Sequence, residues 1–332
     1  MAIPSLAMIP SGYKDGKVYS VLPANGDGDF DFSRGSNATR VNKDGLIETV
    51  TGDTPRLDYT DSSCPSLLLE PQRTNLITYS EDFSNVAWGK SNLTVSSNVI
   101  TSPDGALNAT KLIPNATASV NKFLSASIAA TNGISYSYSV FAKKGEYDRL
   151  RLEDGNNSNG AWFNLSTGTI GTVGAGSTAK IDNYRNGWYK CTLIKPAITT
   201  SFFTIMGASN IESIQVGDGT SGIYIYGAQL EEGYATSYIP TSGSIVTRLA
   251  DSCNNGGNAS TFNDSEGVLY AEISALANDS TNRIISISDG SGSNRVLVKF
   301  DDSNNLIQGA CTATTDQAEL SFSTDITLNN KI

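Results

Sequence analysis

Short apolar runs, each bounded by Gly, Asn, Asp or Pro, set the pattern of this chain, and none holds a helical period for long. In the first quarter the runs are brief, at residues 18–22, 45–48 and 67–69, with turn-forming stretches between them. That segment is expected to form short strands and turns. From about Thr78 to Tyr238 the runs lengthen and recur at regular spacing, the pattern of an antiparallel sandwich. Strands are expected at residues 134–143, 149–153, 161–165, 187–194, 202–206 and 222–230. In the first of these, Tyr136, Tyr138 and Val140 alternate with Ser137, Ser139 and Phe141, which gives one aromatic sheet face and one mixed face, each strand burying one side. A turn at 238–243 and the strand SIVTRLAD follow, and a third block begins near Asp251. Its alternating strands are expected at 267–274, 283–289 and 295–302.

Composition agrees with a β-rich chain: 31 Gly, 14 Tyr and only 17% charged residues favour strands joined by tight turns. A net charge of -10, with 23 basic residues dispersed among 33 acidic ones, argues against nucleic-acid binding, which needs clustered Lys and Arg. No run approaches the roughly 20 apolar residues of a membrane span, and the first residues lack the basic start and unbroken apolar stretch of a signal peptide. The expectation is a protein made in the cytoplasm, with Cys64, Cys191, Cys253 and Cys311 reduced and mostly buried, because no C-x-x-C spacing occurs.

Four arginines of the first quarter, Arg34, Arg40, Arg56 and Arg73, each lie within a few residues of a carboxylate: Asp31, Glu48, Asp58 and Glu70. Planar, two-pronged contacts between such groups suit strands pinned to neighbours in an assembly. Scattered surface pairs worth about 0–1 kcal/mol each are the alternative.

The words IPSGYKDGKVYSVLP, DFDFSRGSNATRVNKDGLIE, PRLDY and LLLEPQRTNLITYSEDFSNVAW together resemble the amino-terminal region of a family of tailed-bacteriophage virion proteins labelled tail fibre, head fibre or structural protein. That resemblance implies a virion component assembled in the host cytoplasm, a homotrimer, and partners in the capsid, collar or baseplate. Further along, SEDFSNVAWGK, YSVFAKKG, GWYKCTL and GIYIYGAQLEEG resemble jelly-roll carbohydrate-binding modules of the galactose-binding-like type. Such modules bind glycans in a concave-face cleft or at loop tips, and many hold a structural calcium. The third block resembles the start of a concanavalin-like sandwich, a lectin fold needing more residues than follow here, so the sequence is expected to be a fragment. The fold class expected is therefore all-β. An extended strapping region (1–77), ordered by partner chains, precedes a jelly-roll sandwich (78–245) and a partial concanavalin-like sandwich (246–332).

There is no His, which removes Ser-His-Asp and Cys-His catalysis and histidine metal sites. The adjacent carboxylates Glu153 with Asp154, Glu231 with Glu232, and Asp301 with Asp302 would point to opposite faces of a strand and could not flank one glycosidic bond. The run from Asn25 to Asp31 alternates oxygen ligands but lacks the Gly and Glu spacing of an EF-hand and reads as a polar turn; Gly217 to Thr220 reads as a turn as well. Of the three tryptophans, Trp88 and Trp188 sit in core-like contexts. Trp162 follows a loop rich in amides, so Trp162 with Asn156, Asn157 and Asn159 is the candidate glycan site. The function expected is that of a non-enzymatic virion fibre or fibre-like spike whose sandwiches bind host-surface polysaccharide. The alternatives are a tailspike depolymerase with its catalytic domain beyond residue 332, and a purely structural decoration or adaptor protein.

Overall fold

Alternation in the tyrosine-serine strand is realised at the centre of the molecule's first unit. The computed structural model describes residues 3–117, 121–155, 159–213, 216–263, 266–303 and 305–326, and among them there is no helix. The strand spans Ser135–Lys144 and lies inside a six-stranded antiparallel sheet ordered Leu93–Thr101, Leu107–Pro114, Ile223–Glu232, Ser135–Lys144, Trp188–Pro196 and Thr178–Asn183. A second six-stranded sheet runs Thr169–Val173, Asn159–Asn164, Arg149–Asp154, Ser201–Ser209, Phe123–Ala129 and Gly89–Ser91. Tyr136, Tyr138, Val140 and Ala142 of the first sheet meet Leu124, Leu150, Leu152, Phe163, Phe202 and Met206 of the second in one apolar core. The strand limits fall close to those expected, and the fold is an all-β sandwich.

A bulge keeps that core continuous. In Ile223–Glu232, Ile223 and Ile225 face inward, yet two positions later the chain offers Gly227, and the next core residues are Ala228 and Leu230. The ladder accommodates this by skipping a residue between the pairs Ser139↔Gln229 and Phe141↔Tyr226. Gly227 takes a φ of 60°, and a Cβ there would lie 3.1 Å from Phe141 and Tyr238.

The other face of the Ser135–Lys144 strand was expected to be left outside the core. It is instead buried beneath the amino-terminal region. Val41 and Ile47, from the hairpin of Ala38–Val41 and Ile47–Val50, pack with Ala109, Phe141, Trp188, Tyr226 and Tyr238 in a second apolar cluster. Phe141 meets the Tyr184, Tyr238 and Tyr226 rings at centroid distances of 4.9, 5.9 and 6.1 Å. Within residues 3–77 the hairpin is thus folded against an apolar sheet face of its own chain rather than extended.

The chain leaving the sandwich returns to this arm. Val246–Arg248 pairs with Arg73–Asn75, and Ser252–Asn254 pairs with Phe30–Ser33. The expected boundaries at 77 and 245 therefore do not separate compact bodies; the first unit runs to Asn258 and a second comprises Ala259–Ile332. The second unit is a four-stranded antiparallel sheet, Arg283–Ser288, Asn294–Phe300, Leu306–Ala313 and Thr315–Ser323, with a small cluster of Ala275, Phe300 and Ile326. Residues 267–274 form no strand. Val268 and Tyr270 of that segment are 92% and 81% exposed, so their alternation has no sheet face to fill. On the outermost strand of the sheet Leu320 and Phe322 are also exposed.

Candidate functional site

The second sheet of the sandwich turns its polar alternates outward. In Arg149–Asp154, Leu150 and Leu152 enter the core, which places Arg149, Arg151 and Glu153 on the opposite face. The neighbouring strand Asn159–Asn164 does the same, with Ala161 and Phe163 inward and Trp162 outward. Register sets Arg151 directly across from Trp162 and Glu153 across from Gly160. The Arg151 guanidinium lies 5.6 Å from the centroid of the Trp162 ring and pairs with Glu153. Glu153, although it faces outward, is 6% exposed. Burial pushes its carboxyl up against the opposing pull of Arg151 and Lys195.

Gly207 follows Arg151 across the sheet, and the Glu153 row continues through Ile205 to Ser125 and Gly89. At Gly160 a Cβ would come within 2.2 Å of the Leu152 carbonyl oxygen and 2.4 Å of Glu153 Cβ, so glycine alone lets the strands close up beside the tryptophan. A half-buried aromatic ring, a planar five-donor cation and a buried carboxylate then share one face. Chemically this set offers a flat apolar surface for C–H groups and charged hydrogen-bond partners for hydroxyls.

The structure divides the residues singled out in the sequence. Asn156 and Asn157 lie outside the described residues. Asn159 is not on the Trp162 face, because three positions along a strand reverse the side, and its Nδ2 donates to the Ala175 carbonyl at 3.0 Å. Arg151 and Glu153 were missed as binding groups. The signal available was the alternation of Arg149, Arg151 and Glu153 with two leucines, one strand before the tryptophan. Trp88 and Trp188 are each 2% exposed; Trp88 Nε1 donates to the Tyr79 carbonyl at 2.8 Å, and Trp188 lies under the arm rather than between the sheets.

The arginines of the first quarter form a clasp within the chain. As expected, Arg40 pairs with Glu48, at 2.7 Å across the hairpin. The other three expected pairings fail, since proximity in sequence is not proximity across strands. Arg34 reaches Asp251 at 3.0 Å rather than Asp31, which pairs with Lys17. Arg56 binds Glu70 at 2.6 Å and also Asp251, rather than Asp58, whose carboxylate accepts from the Val41 and Thr60 amides. Arg73 lies 4.6 Å from the centroid of the Tyr234 ring, and Glu70 instead takes Arg248 at 2.9 Å. Arg34, Arg56, Arg248, Glu70 and Asp251 are all buried at the side chain, and Ser237 donates to Glu70 through both its amide and hydroxyl. Burial alone would raise the Glu70 carboxyl, but Arg248 and Arg56, with the Ser237 hydrogen bonds, outweigh it and hold the pKa at about 2.

Elsewhere the acidic groups are engaged in local structure. Glu153 and Asp154 fall on opposite faces of one strand, and buried Glu231 accepts from the Thr236 amide at 2.9 Å and from Gln229 at 2.6 Å. Asp29 accepts from the Ser20 amide, Asn25 donates to Asp27, and Asp218 caps the turn through Thr220 and Ser221. Among the described residues no cluster of three or more Cys, Asp or Glu is placed to hold a metal ion. All four cysteines are free; Cys191 is buried and Cys64 is exposed, with Cys253 and Cys311 between, so the thiols are less buried than expected.

No protein-family model matches the chain, and no curated protein does. Among solved structures, similarity is found to an inferred sugar-binding protein of Bacteroides thetaiotaomicron, at 12% identity and a TM-score of 0.27, covering 48% of this chain and 94% of that one. A second is the CBM22-1–GH10 portion of xylanase 10B from Clostridium thermocellum, complexed with xylohexaose, at 15% identity and a TM-score of 0.29, covering 52% of this chain and 30% of that one. Likeness of this degree carries no functional argument.

Proposed function

We propose that the chain is a non-catalytic glycan-binding protein whose sandwich presents Trp162 and Arg151 to a sugar, with buried Glu153 pairing Arg151. The observation that supports this reading is their convergence on one outward sheet face, where ring and charged groups are held by cross-strand register rather than by a loop. A pyranose stacks its C–H face on the Trp162 ring while Arg151, held by Glu153, donates to its hydroxyls. Proton-transfer chemistry at this face has little to draw on: the chain has no His, and the adjacent carboxylates Glu153 and Asp154 face opposite ways.

The setting we propose is a bacteriophage virion, with this chain as a fibre or fibre-like spike that is trimeric and contacts host-surface polysaccharide. The support for that setting is the resemblance of the words in residues 9–88. Each site would be weak, and repetition over copies would supply avidity through effective concentration. The test is a glycan array probed with the full chain and with Trp162→Ala. Bacterial polysaccharides should retain the parent and lose the variant at an unchanged melting temperature. Silence of the parent across the array would overturn the glycan reading and leave the adaptor alternative.

A further inference from the structure

Where the arm hairpin meets the sandwich it leaves a cleft of about 220 Å³ on the side of the first sheet. Leu46 of the hairpin and Pro103 of the turn after Leu93–Thr101 form two walls, and Tyr184, Asn186 and Trp188 supply a third. Lys143 completes the lining at the end of its strand, half-buried and in no ion pair or side-chain hydrogen bond among the described residues. Its stem lies along Gly187, and ladder pairing fixes it opposite Trp188. The Asp104 carboxylate, in the Pro103 turn, is already engaged by Ser102, Asn108 and Tyr226 and by the Ala106 amide. An uncompensated ammonium, half out of water and aimed along a concave wall, is stabilised by an anion entering beside it.

We propose that this cleft is a second ligand site, distinct from the Trp162 face, and that it takes a single carboxylate-bearing sugar ring of the hexuronate class. Size limits the ligand first: the volume is below the roughly 300–1,000 Å³ of drug-sized pockets, so one ring enters and a chain does not. Charge limits it next. The whole molecule carries -10, so no long-range field draws anions in, and recognition must be made locally, by Lys143 in the lining, with the Arg185 guanidinium close against Gly45 of the hairpin wall. The remaining walls favour a sugar ring over a bare inorganic anion. Half-buried Leu46 offers an apolar wall to the ring's C–H groups, and the exposed Asn186 amide, on a backbone with φ of 49°, offers both donor and acceptor to hydroxyls. Because the hairpin forms one wall, the site exists only with the arm seated.

Titration calorimetry on the full chain with galacturonate, galactose and inorganic phosphate tests the assignment, using Lys143→Met and Trp162→Ala as variants. Galacturonate should bind at least about tenfold more tightly than galactose or phosphate, and Lys143→Met should remove that preference, since a charge-assisted bond is lost while the stem is kept. The comparison is made in the Trp162→Ala background, where the open face no longer contributes, and the Lys143-dependent preference should persist there. The proposal fails if the Trp162→Ala chain binds no galacturonate, if galactose or phosphate binds it as tightly, or if adding Lys143→Met at unchanged melting temperature leaves its galacturonate binding as it was.

Discussion

At the level of single residues, the three tryptophans separate by what lies behind them. Trp188 packs against the arm with Phe141 and Tyr238, its Nε1 held by the Thr101 carbonyl at 3.2 Å, whereas Trp162 lies on an outward face beside Arg151. Trp188→Ala is therefore expected to cost about 3–5 kcal/mol, as large-to-small changes in packed interiors do. Trp162→Ala should cost under about 1 kcal/mol. Urea unfolding of both variants distinguishes them; equal losses would mean that Trp162 is a packing residue and would remove it from the site. The ranking of the tryptophans was legible, because alternation and flanking amides are local signals. The partners were not. Nothing near Arg56 announces Asp251, 195 positions later, and the carboxylate nearest in sequence, Asp58, caps amides instead.

Among the elements, the strand Ile223–Glu232 carries the strictest requirement. Its bulge at Gly227 lets Ile223 and Ile225 share the core with Ala228 and Leu230, and sends Tyr226, Gln229 and Glu231 to the arm side. The words GIYIYGAQL announced a strand, but not the slip, since a glycine inside an alternating run is equally consistent with a plain weak point. Gly227→Ala must put a Cβ on a left-handed residue and within 3.1 Å of two rings. A loss of at least about 1–2 kcal/mol is expected from the backbone conformation alone. Gly219, with a similar φ of 78° but open space around its missing Cβ, is the control: Gly219→Ala should lose less. Equal melting temperatures for the two variants would mean that the bulge tolerates repacking. The segment 267–274 is the converse case, an alternation as clean as any in the sequence that forms no strand, because periodicity specifies a face and not the partner that must pair with it.

For the whole molecule, the decisive feature is that the arm, the sandwich and the returning segment share one buried clasp. Its legibility is half complete: the first-quarter arginines announce pins, but nothing local announces that the segment after the sandwich supplies their partners. Arg248 and Asp251 come from the segment after the sandwich, and the pairing strands Val246–Arg248 and Ser252–Asn254 carry them to the arm. Such closure joins distant sequence, which no local window displays. Arg56→Ala leaves Glu70 and Asp251 short of a cation in a dry interior and is expected to cost about 3–5 kcal/mol. Acid probes the same clasp without mutation. Glu70 titrates at about 2 when folded against an ordinary 4.5, so the folded chain binds this proton less readily than the unfolded chain does. Its stabilising contribution is complete above pH 4.5 and is withdrawn as the pH falls through that value toward 2. Glu231 works in the opposite sense, for burial pushes its carboxyl up despite Lys190 and Thr236, so it lends stability as pH falls through its own raised range before the Glu70 loss begins. Urea midpoints should therefore hold or rise slightly on mild acidification and then drop steeply below pH 4.5. Glu70→Gln should start lower at neutral pH and show a much shallower drop; an acid limb as steep as the parent's would place the proton uptake outside the clasp.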